Sequence, residues 1–273
     1  MKMLLSAVVL VSALTLGESL RKEMKKEEVK RVVRGYDAKD GQFPYVIALY
    51  DTGNYICTGS IISKTSILTA AHCVVRRGEL RPVENLHAIA GVANRSSSKG
   101  VFIEFKDFKV HPEYDEQNSD LAILETTAPI KFNDRVKPIC IANENIGSLL
   151  LSRVAAVGWG QTNRNMTIPE LPDTVQYVYQ RVTGNLKCQV LYFGRAVPSS
   201  GMCATSLLSG ICGGDSGGPL VYKLKGAPVL VGMASYVNAL TGCGHLLGPA
   251  VFTRISSYTK YIKDTATGDV CVA

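Results

Sequence analysis

Residues 212–219 read CGGDSGGP, and residues 69–73 read TAAHC. The first stretch offers Ser216 as a nucleophile. A serine hydroxyl attacks a carbonyl at neutral pH only when a neighbouring base takes its proton. His72, in the second stretch, is the candidate base, and Asp120, in SDLAIL (119–124), is the candidate acid to orient it. A lone serine between glycines is usually a turn, and a lone histidine is usually structural. Three such residues, each in its own motif, favour the chemical reading. His87, His111 and His245 lack such company and read as ordinary surface or satisfied polar residues.

Outward from these motifs the chain is written in short runs. Apolar or alternating stretches of strand length lie at 45–50, 55–63, 66–71, 86–92, 101–110 and 120–125. A second set lies at 154–159, 175–182, 201–206, 219–223, 228–237 and 250–255, with Gly, Asn, Pro and Ser between the runs. Many short strands with turn signals predict an all-β barrel or sandwich. Only 256–264, SSYTKYIKD, reads as helix, with Ser256 or Ser257 as its cap. The less regular stretch 141–153 is the expected link between two halves.

The 273 residues suffice for one large all-β domain or two small ones. Residues 1–19 read as a secretory signal peptide: Lys2 is the positive start, Leu4 to Leu16 is mostly apolar, and Gly17 with Ser19 suits a signal-peptidase site. That apolar run falls short of the roughly 20 residues of a membrane span, so no membrane partner is expected. Residues 20–31, LRKEMKKEEVKR, are almost wholly charged and cannot build a core. Seven basic and four acidic residues of the +7 chain lie within 1–31; without them the net charge is +4. That mild charge, with no basic stripe, argues against nucleic acid. Eight cysteines in a secreted chain imply disulfides, and their spacing, with no CxxC and no HxxxH, is not that of a zinc site. Asn94-Arg95-Ser96 and Asn165-Met166-Thr167 are glycosylation sequons.

A serine nucleophile occurs on unrelated folds. Gly214-Asp215-Ser216-Gly217-Gly218 also satisfies the GxSxG elbow of esterases, which needs an acid and then a histidine after the serine. The only later histidine is His245, and no Asp or Glu lies between it and Ser216, so that reading fails. The order His72, Asp120, Ser216 is that of chymotrypsin-like proteases. From Val32 to about Lys263 the chain resembles a chymotrypsin-family (S1) serine protease. The resemblance is carried by VVRG after a basic residue, TAAHC, SDLAIL, GWG (158–160), CGGDSGGP and GPAVFTRI (248–255), in family order. It implies two six-stranded antiparallel β-barrels, about 32–140 and 154–255, with a C-terminal helix at about 256–264. Residues 32–273 would then be the peptidase domain, 20–31 an activation propeptide, and the active site the cleft between barrels.

The resemblance also implies roles. Ser216 would attack, His72 would relay the proton, Asp120 would hold the His72 tautomer, and the N–H groups of Gly214 and Ser216 would form the oxyanion hole. Cleavage after Arg31 by a trypsin-like protease would free the Val32 ammonium to pair with Asp215. Arg34-Gly35 stands where the family usually has Gly-Gly, which adds a second tryptic bond. The implied disulfides are Cys57–Cys73, Cys188–Cys203 and Cys212–Cys243; Cys140 and Cys271 remain and are expected to pair. Gly210 would form the base of the primary pocket, which lacks the Asp of enzymes that cut after Lys or Arg. Ser235, Tyr236, Val237, Pro249 and Ala250 would form its walls. Val237 narrows that pocket as in elastases and favours small or medium aliphatic side chains before the cut. The long loop from Ser235 to Cys243 leaves a chymotrypsin-like preference for Phe, Tyr or Leu as the alternative. No cofactor or metal is implied, and 77–91 shows no acidic set suited to calcium. The expected partners are protein or peptide substrates, an activating protease and macromolecular inhibitors, and the expected state is a monomer. A non-catalytic binding protein on the same fold is the rival class.

Overall fold

The computed structural model describes residues 35–115, 118–163, 170–192, 194, 196–207, 209–238, 242–244 and 248–273. The expectations at 1–31, Val32, Arg34, Asn165 and His245 lie outside the described residues. The chain runs through β1 (Tyr36–Asp37), β2 (Val46–Asp51), β3 (Asn54–Ile61), β4 (Ser66–Thr69) and a one-turn helix α1 (Ala71–Val74). A small hairpin follows, β5 (Val75–Arg76) and β6 (Glu79–Leu80), then β7 (Leu86–Ala90), β8 (Val101–Val110) and β9 (Ala122–Thr126). The second half holds β10 (Cys140–Ile141), β11 (Arg153–Gly158), β12 (Gln176–Thr183), α2 (Asn185–Leu191) and β13 (Gly201–Thr205). It ends with β14 (Pro219–Leu224), β15 (Ala227–Val237), β16 (Ala250–Arg254) and α3 (Thr259–Thr265).

β2-β3-β4-β9-β8-β7 close into one six-stranded antiparallel barrel. β12-β11-β14-β15-β16-β13 close into a second, through the pairing of β13 with β12. Every one of the twelve runs read from the sequence contributes a barrel strand. Alternation does the sorting. On β12, Gln176, Val178, Gln180 and Val182 are buried while Tyr177, Tyr179, Arg181 and Thr183 face outward or lie half-covered. Closure leaves the barrel strands no free edges. The first core is built on Ile47, Leu49, Ile61, Ile67, Leu68 and Leu124, all fully buried. Gly59 makes room there: a Cβ would lie 2.9 Å from the Ile47 Cδ1.

Four details differ from the sequence reading. Ser256 and Ser257 do not cap the last helix; they lie in a 3-10 turn, and Tyr258 occupies the cap position with no side-chain bond. Two short helices, α1 and α2, have no periodic signal because each is too short to show one. The link between the halves begins inside the second sheet, where Cys140 and Ile141 pair in parallel with Val229 and Leu230 on β15. The C-terminal helix crosses back to the first barrel: Tyr261 Oη donates to the Val110 carbonyl at 3.3 Å, and Tyr258 Oη donates to Ser119 Oγ at 3.1 Å.

Four disulfides join Cys57 to Cys73, Cys140 to Cys271, Cys188 to Cys203 and Cys212 to Cys243. The second closes a loop with a sequence separation of 131 and pins the tail, whose Cys271 carbonyl and Ala273 N–H bond the two sides of Ile141. The double variant Cys140→Ala/Cys271→Ala is expected to lose about 2–5 kcal/mol of unfolding free energy. Guanidinium denaturation checks this; an unchanged midpoint would mean that the tail hydrogen bonds hold the terminus unaided.

Candidate active site

The candidate residues meet where the two barrels face each other. His72 is the second residue of α1, a turn held to β3 by the Cys57–Cys73 bridge. Asp120 precedes β9 and follows Ser119, whose φ of +51° bends the chain. Asp120 is buried and grips His72 twice: Oδ2 lies 2.8 Å from Nδ1, and Oδ1 accepts the His72 backbone N–H at 3.1 Å. Ser235 Oγ donates to the same Oδ2 at 2.5 Å, and Thr253 Oγ1 donates to the Asp120 carbonyl at 2.9 Å. Burial alone would raise the Asp120 carboxyl; the hydrogen bonds and charge of His72, with the Ser235 hydroxyl, override it and hold Asp120 below the usual carboxylate range. With a carboxylate on Nδ1, the imidazole proton sits there and the Nε2 lone pair is left for other work.

Ser216 lies in the turn between Cys212 and β14. Its carbonyl accepts the Thr58 N–H at 2.9 Å, and the Gly217 N–H donates to the Ala234 carbonyl at 2.8 Å. Gly214 and Gly217 have φ of +96° and +74°, a backbone that suits glycine. Among the described residues no hydrogen bond links Ser216 to His72; such contacts often tighten only when substrate is bound.

Asp215 points the other way, into the protein, and is 1% exposed. Its Oδ1 accepts the Gly160 N–H and its Oδ2 the Cys212 N–H, both at 2.8 Å. Burial pushes its pKa up to about 7, and the two backbone donors only partly oppose that. The GWG motif exists around this carboxyl: a Cβ on Gly158 would lie 2.2 Å from Oδ1, and one on Gly160 would lie 2.3 Å from Cγ. Trp159 between them is buried, and its indole N–H donates to the Ala93 carbonyl at 3.0 Å.

The residues read as the primary pocket gather at the end of the second barrel. Val237 pairs with Ala250 across β15 and β16 and packs on the Cys212–Cys243 bridge. Gly210 lies against Gly244, whose Cα would be 3.1 Å from a Cβ at 210. The Tyr236 and Tyr192 rings meet in a T-shaped pair at 6.0 Å, and the Tyr192 hydroxyl donates to the Pro249 carbonyl at 2.7 Å. A cleft of about 660 Å³ beside His72 is lined by Val75, Arg77, Tyr114, Asp115 and Tyr236.

Three participants are absent from the sequence reading in these roles. Ser235 was read only as a pocket wall, yet its hydroxyl is on Asp120. Tyr55 Oη donates to the Gly214 carbonyl at 2.6 Å and lies 2.8 Å from Thr58 Oγ1, so the first barrel holds the loop that precedes Ser216. Buried Ile211 follows Gly210 and adds bulk beside it. None sits in a short motif, so only the tertiary fold reveals them. His87 stacks on Tyr50 at 5.1 Å, and His111 packs against Tyr261 at 4.3 Å; burial lowers the pKa of both rings, away from the site. Cys57, His72 and Cys73 bring ligand-type atoms within 4.8 Å, but the two sulfurs are bonded to each other and leave one donor, too few for a metal. Asn94 is exposed, with its Oδ1 accepting the Ser96 N–H at 2.8 Å.

Because the Asp215 carboxyl fills the space over residue 160, Gly160→Ala is expected to cost about 3 kcal/mol or more of unfolding free energy. Gly184→Ala, where nothing lies within 4 Å of the added carbon, should cost less than about 1 kcal/mol. Urea titrations of both variants check this; equal losses would mean that Asp215 is easily displaced.

A family model described as Trypsin matches residues 32–262. With that match over most of its length and two six-stranded barrels meeting at these residues, the chain belongs to the trypsin family, the chymotrypsin-like S1 serine proteases, whose substrates are peptides or proteins.

Proposed function

We propose that the chain is a secreted serine endopeptidase made as a zymogen, with Ser216 as nucleophile, His72 as general base and then acid, and Asp120 as the orienting carboxylate. The observation that carries this reading is the double grip of Asp120 on His72, which leaves Nε2 as the basic nitrogen. His72 Nε2 takes the Ser216 proton as Oγ adds to the scissile carbonyl, and returns it to the leaving amine. The imidazolium formed on the way is stabilised by Asp120. The N–H groups of Gly214 and Ser216 receive the oxyanion; one such donor is typically worth about 3 kcal/mol in the transition state. Four disulfides fit an oxidising, extracellular setting.

Activation follows from Asp215. Among the described residues no cation pairs with this carboxyl, and burial raises its pKa. Cleavage after Arg31 would supply one in the Val32 ammonium and so order the loop that carries Gly214 and Ser216. At the pocket, the Val237 isopropyl against the Cys212–Cys243 bridge and the Ala250 methyl favour small or medium aliphatic side chains before the cut. Discrimination among such groups is modest, about 1–3 kcal/mol.

The test is to cleave the protein after Arg31, confirm Val32 as the first residue by mass spectrometry, and treat it with a fluorophosphonate. Labelling at Ser216, absent in Ser216→Ala, with cleavage after Ala or Val in a peptide library, is the expected result. Failure to label a correctly processed protein would replace this reading with a non-catalytic binding role; cleavage after Phe or Tyr would overturn the aliphatic preference.

The same carboxyl predicts a pH effect. Asp215 has an ordinary pKa of 3.8 when unfolded and about 7 in the uncleaved fold, so the folded state holds the proton more tightly. The uncleaved protein therefore loses stability as pH rises from about 4 to 7, by up to about 4 kcal/mol, and regains none of it above 7. After cleavage the ammonium keeps Asp215 ionised, and this decline disappears. Urea unfolding of Ser216→Ala, cut and uncut, from pH 4 to 8 measures the difference; parallel curves would exclude the ammonium–Asp215 pair.

A further inference from the structure

Among the described residues the second barrel holds one polar side chain that neither the fold nor the proposed chemistry uses. Gln180 points inward from β12 and is 3% exposed, yet among those residues its Oε1 has no hydrogen-bond partner. A buried amide oxygen without a partner is costly, and such groups are rare unless a ligand or water completes them. Its position supplies the reason. The Gln180 Nε2 lies 3.6 Å from the point where a Cβ on Gly210 would sit. Gly210 has no side chain, so the carboxamide is the nearest side-chain polar group on the side of Gly210 where a floor residue would project. The Gly244 backbone, 3.1–3.2 Å from that same point, excludes a longer residue at 210.

We infer that Gln180 is a specificity residue: its carboxamide is the polar floor of the primary pocket and, among side chains of equal width, selects the neutral one with a hydrogen-bonding end, a carboxamide. A carboxamide offers an NH2 donor group and a carbonyl acceptor and no charge, so it suits Gln or Asn better than Lys, Arg, Asp or Glu. The aliphatic walls fix the width of the accepted side chain, and Gln180 ranks side chains of equal width by their tips. A site that hydrogen-bonds a substrate group discriminates against the analogue that lacks it far more strongly than a methylene pocket does. This deepens the proposed function and rests on Gly210 being the pocket floor.

The experiment compares peptide substrates that differ only before the cut, Gln against Met and Asn against Leu, pairs of similar length. In the processed protein, with active sites counted by fluorophosphonate labelling, kcat/KM for Gln should exceed that for Met by about tenfold, and Asn should exceed Leu. In Gln180→Met or Gln180→Leu both ratios should fall to one or below. A second arm needs no catalysis: peptides ending in Gln or Met are titrated against Ser216→Ala with and without Gln180→Met. Tighter binding of the Gln peptide that vanishes in the double variant supports the inference, even where labelling has failed and the peptidase reading with it. Ratios that stay the same when Gln180 is replaced, or a native preference for Met and Leu, overturn it; a merely structural Gln180 would move stability and leave both ratios alone.

Discussion

The structure is organised around one buried carboxyl. Asp215 sits in the interior with two backbone N–H donors, and moving an ionised carboxylate to such a place costs several kcal/mol unless a cation accompanies it. Much of the neighbourhood follows. Residues 158 and 160 are glycines because the carboxyl occupies their Cβ positions. Trp159 between them anchors the strand end by its indole N–H. Ser216 is the next residue after Asp215, so any change in the partners of this carboxyl reaches Ser216 through a single peptide unit.

The second buried carboxyl, Asp120, shows how environment divides two like groups. Both lie out of water, and burial raises both. Asp120 has an imidazole and a hydroxyl on its oxygens and is held ionised, whereas Asp215 has only neutral backbone donors and is driven towards the protonated form. One carboxyl is therefore ready to stabilise a charge that appears on His72. The other has only backbone N–H donors on its oxygens among the described residues.

The barrels were legible because a strand half-buried in a closed sheet writes its burial into alternate residues, and the twelve runs of short apolar or alternating sequence carry that signature. The candidate site was legible at His72, Asp120 and Ser216 because each sits in a compact motif. What surrounds them was not. Ser235, Tyr55 and Gln180 lie 115, 159 and about 30 positions from the residues they meet, Asp120, Gly214 and Gly210. Their roles depend on register between strands that no local pattern encodes. The helix cap failed for a related reason: Ser256 and Ser257 have the right chemistry, but a 3-10 turn takes them up first and passes the start of the helix to Tyr258.

Neither barrel owns the site. The first supplies His72 and Asp120, the second Ser216 and Ser235, and the bonds that align them cross the seam: Thr58 to Ser216, Tyr55 to Gly214, Ser235 and Thr253 to Asp120. The neutral ones are each worth about 1 kcal/mol net and the one to the Asp120 carboxylate about 1.5–3 kcal/mol, too little to define the geometry alone. Their accuracy comes from the packed cores behind them, since β3 and β15 are rigid members of closed barrels. Two of the disulfides brace the loops beside the candidate residues, Cys57–Cys73 next to His72 and Cys212–Cys243 next to the turn of Ser216. Packed sheets set the distance between His72 and Ser216, and covalent links limit the loops that carry them. The turn from Cys212 to Ser216 is tied to Asp215 itself, whose carboxyl accepts the Cys212 N–H.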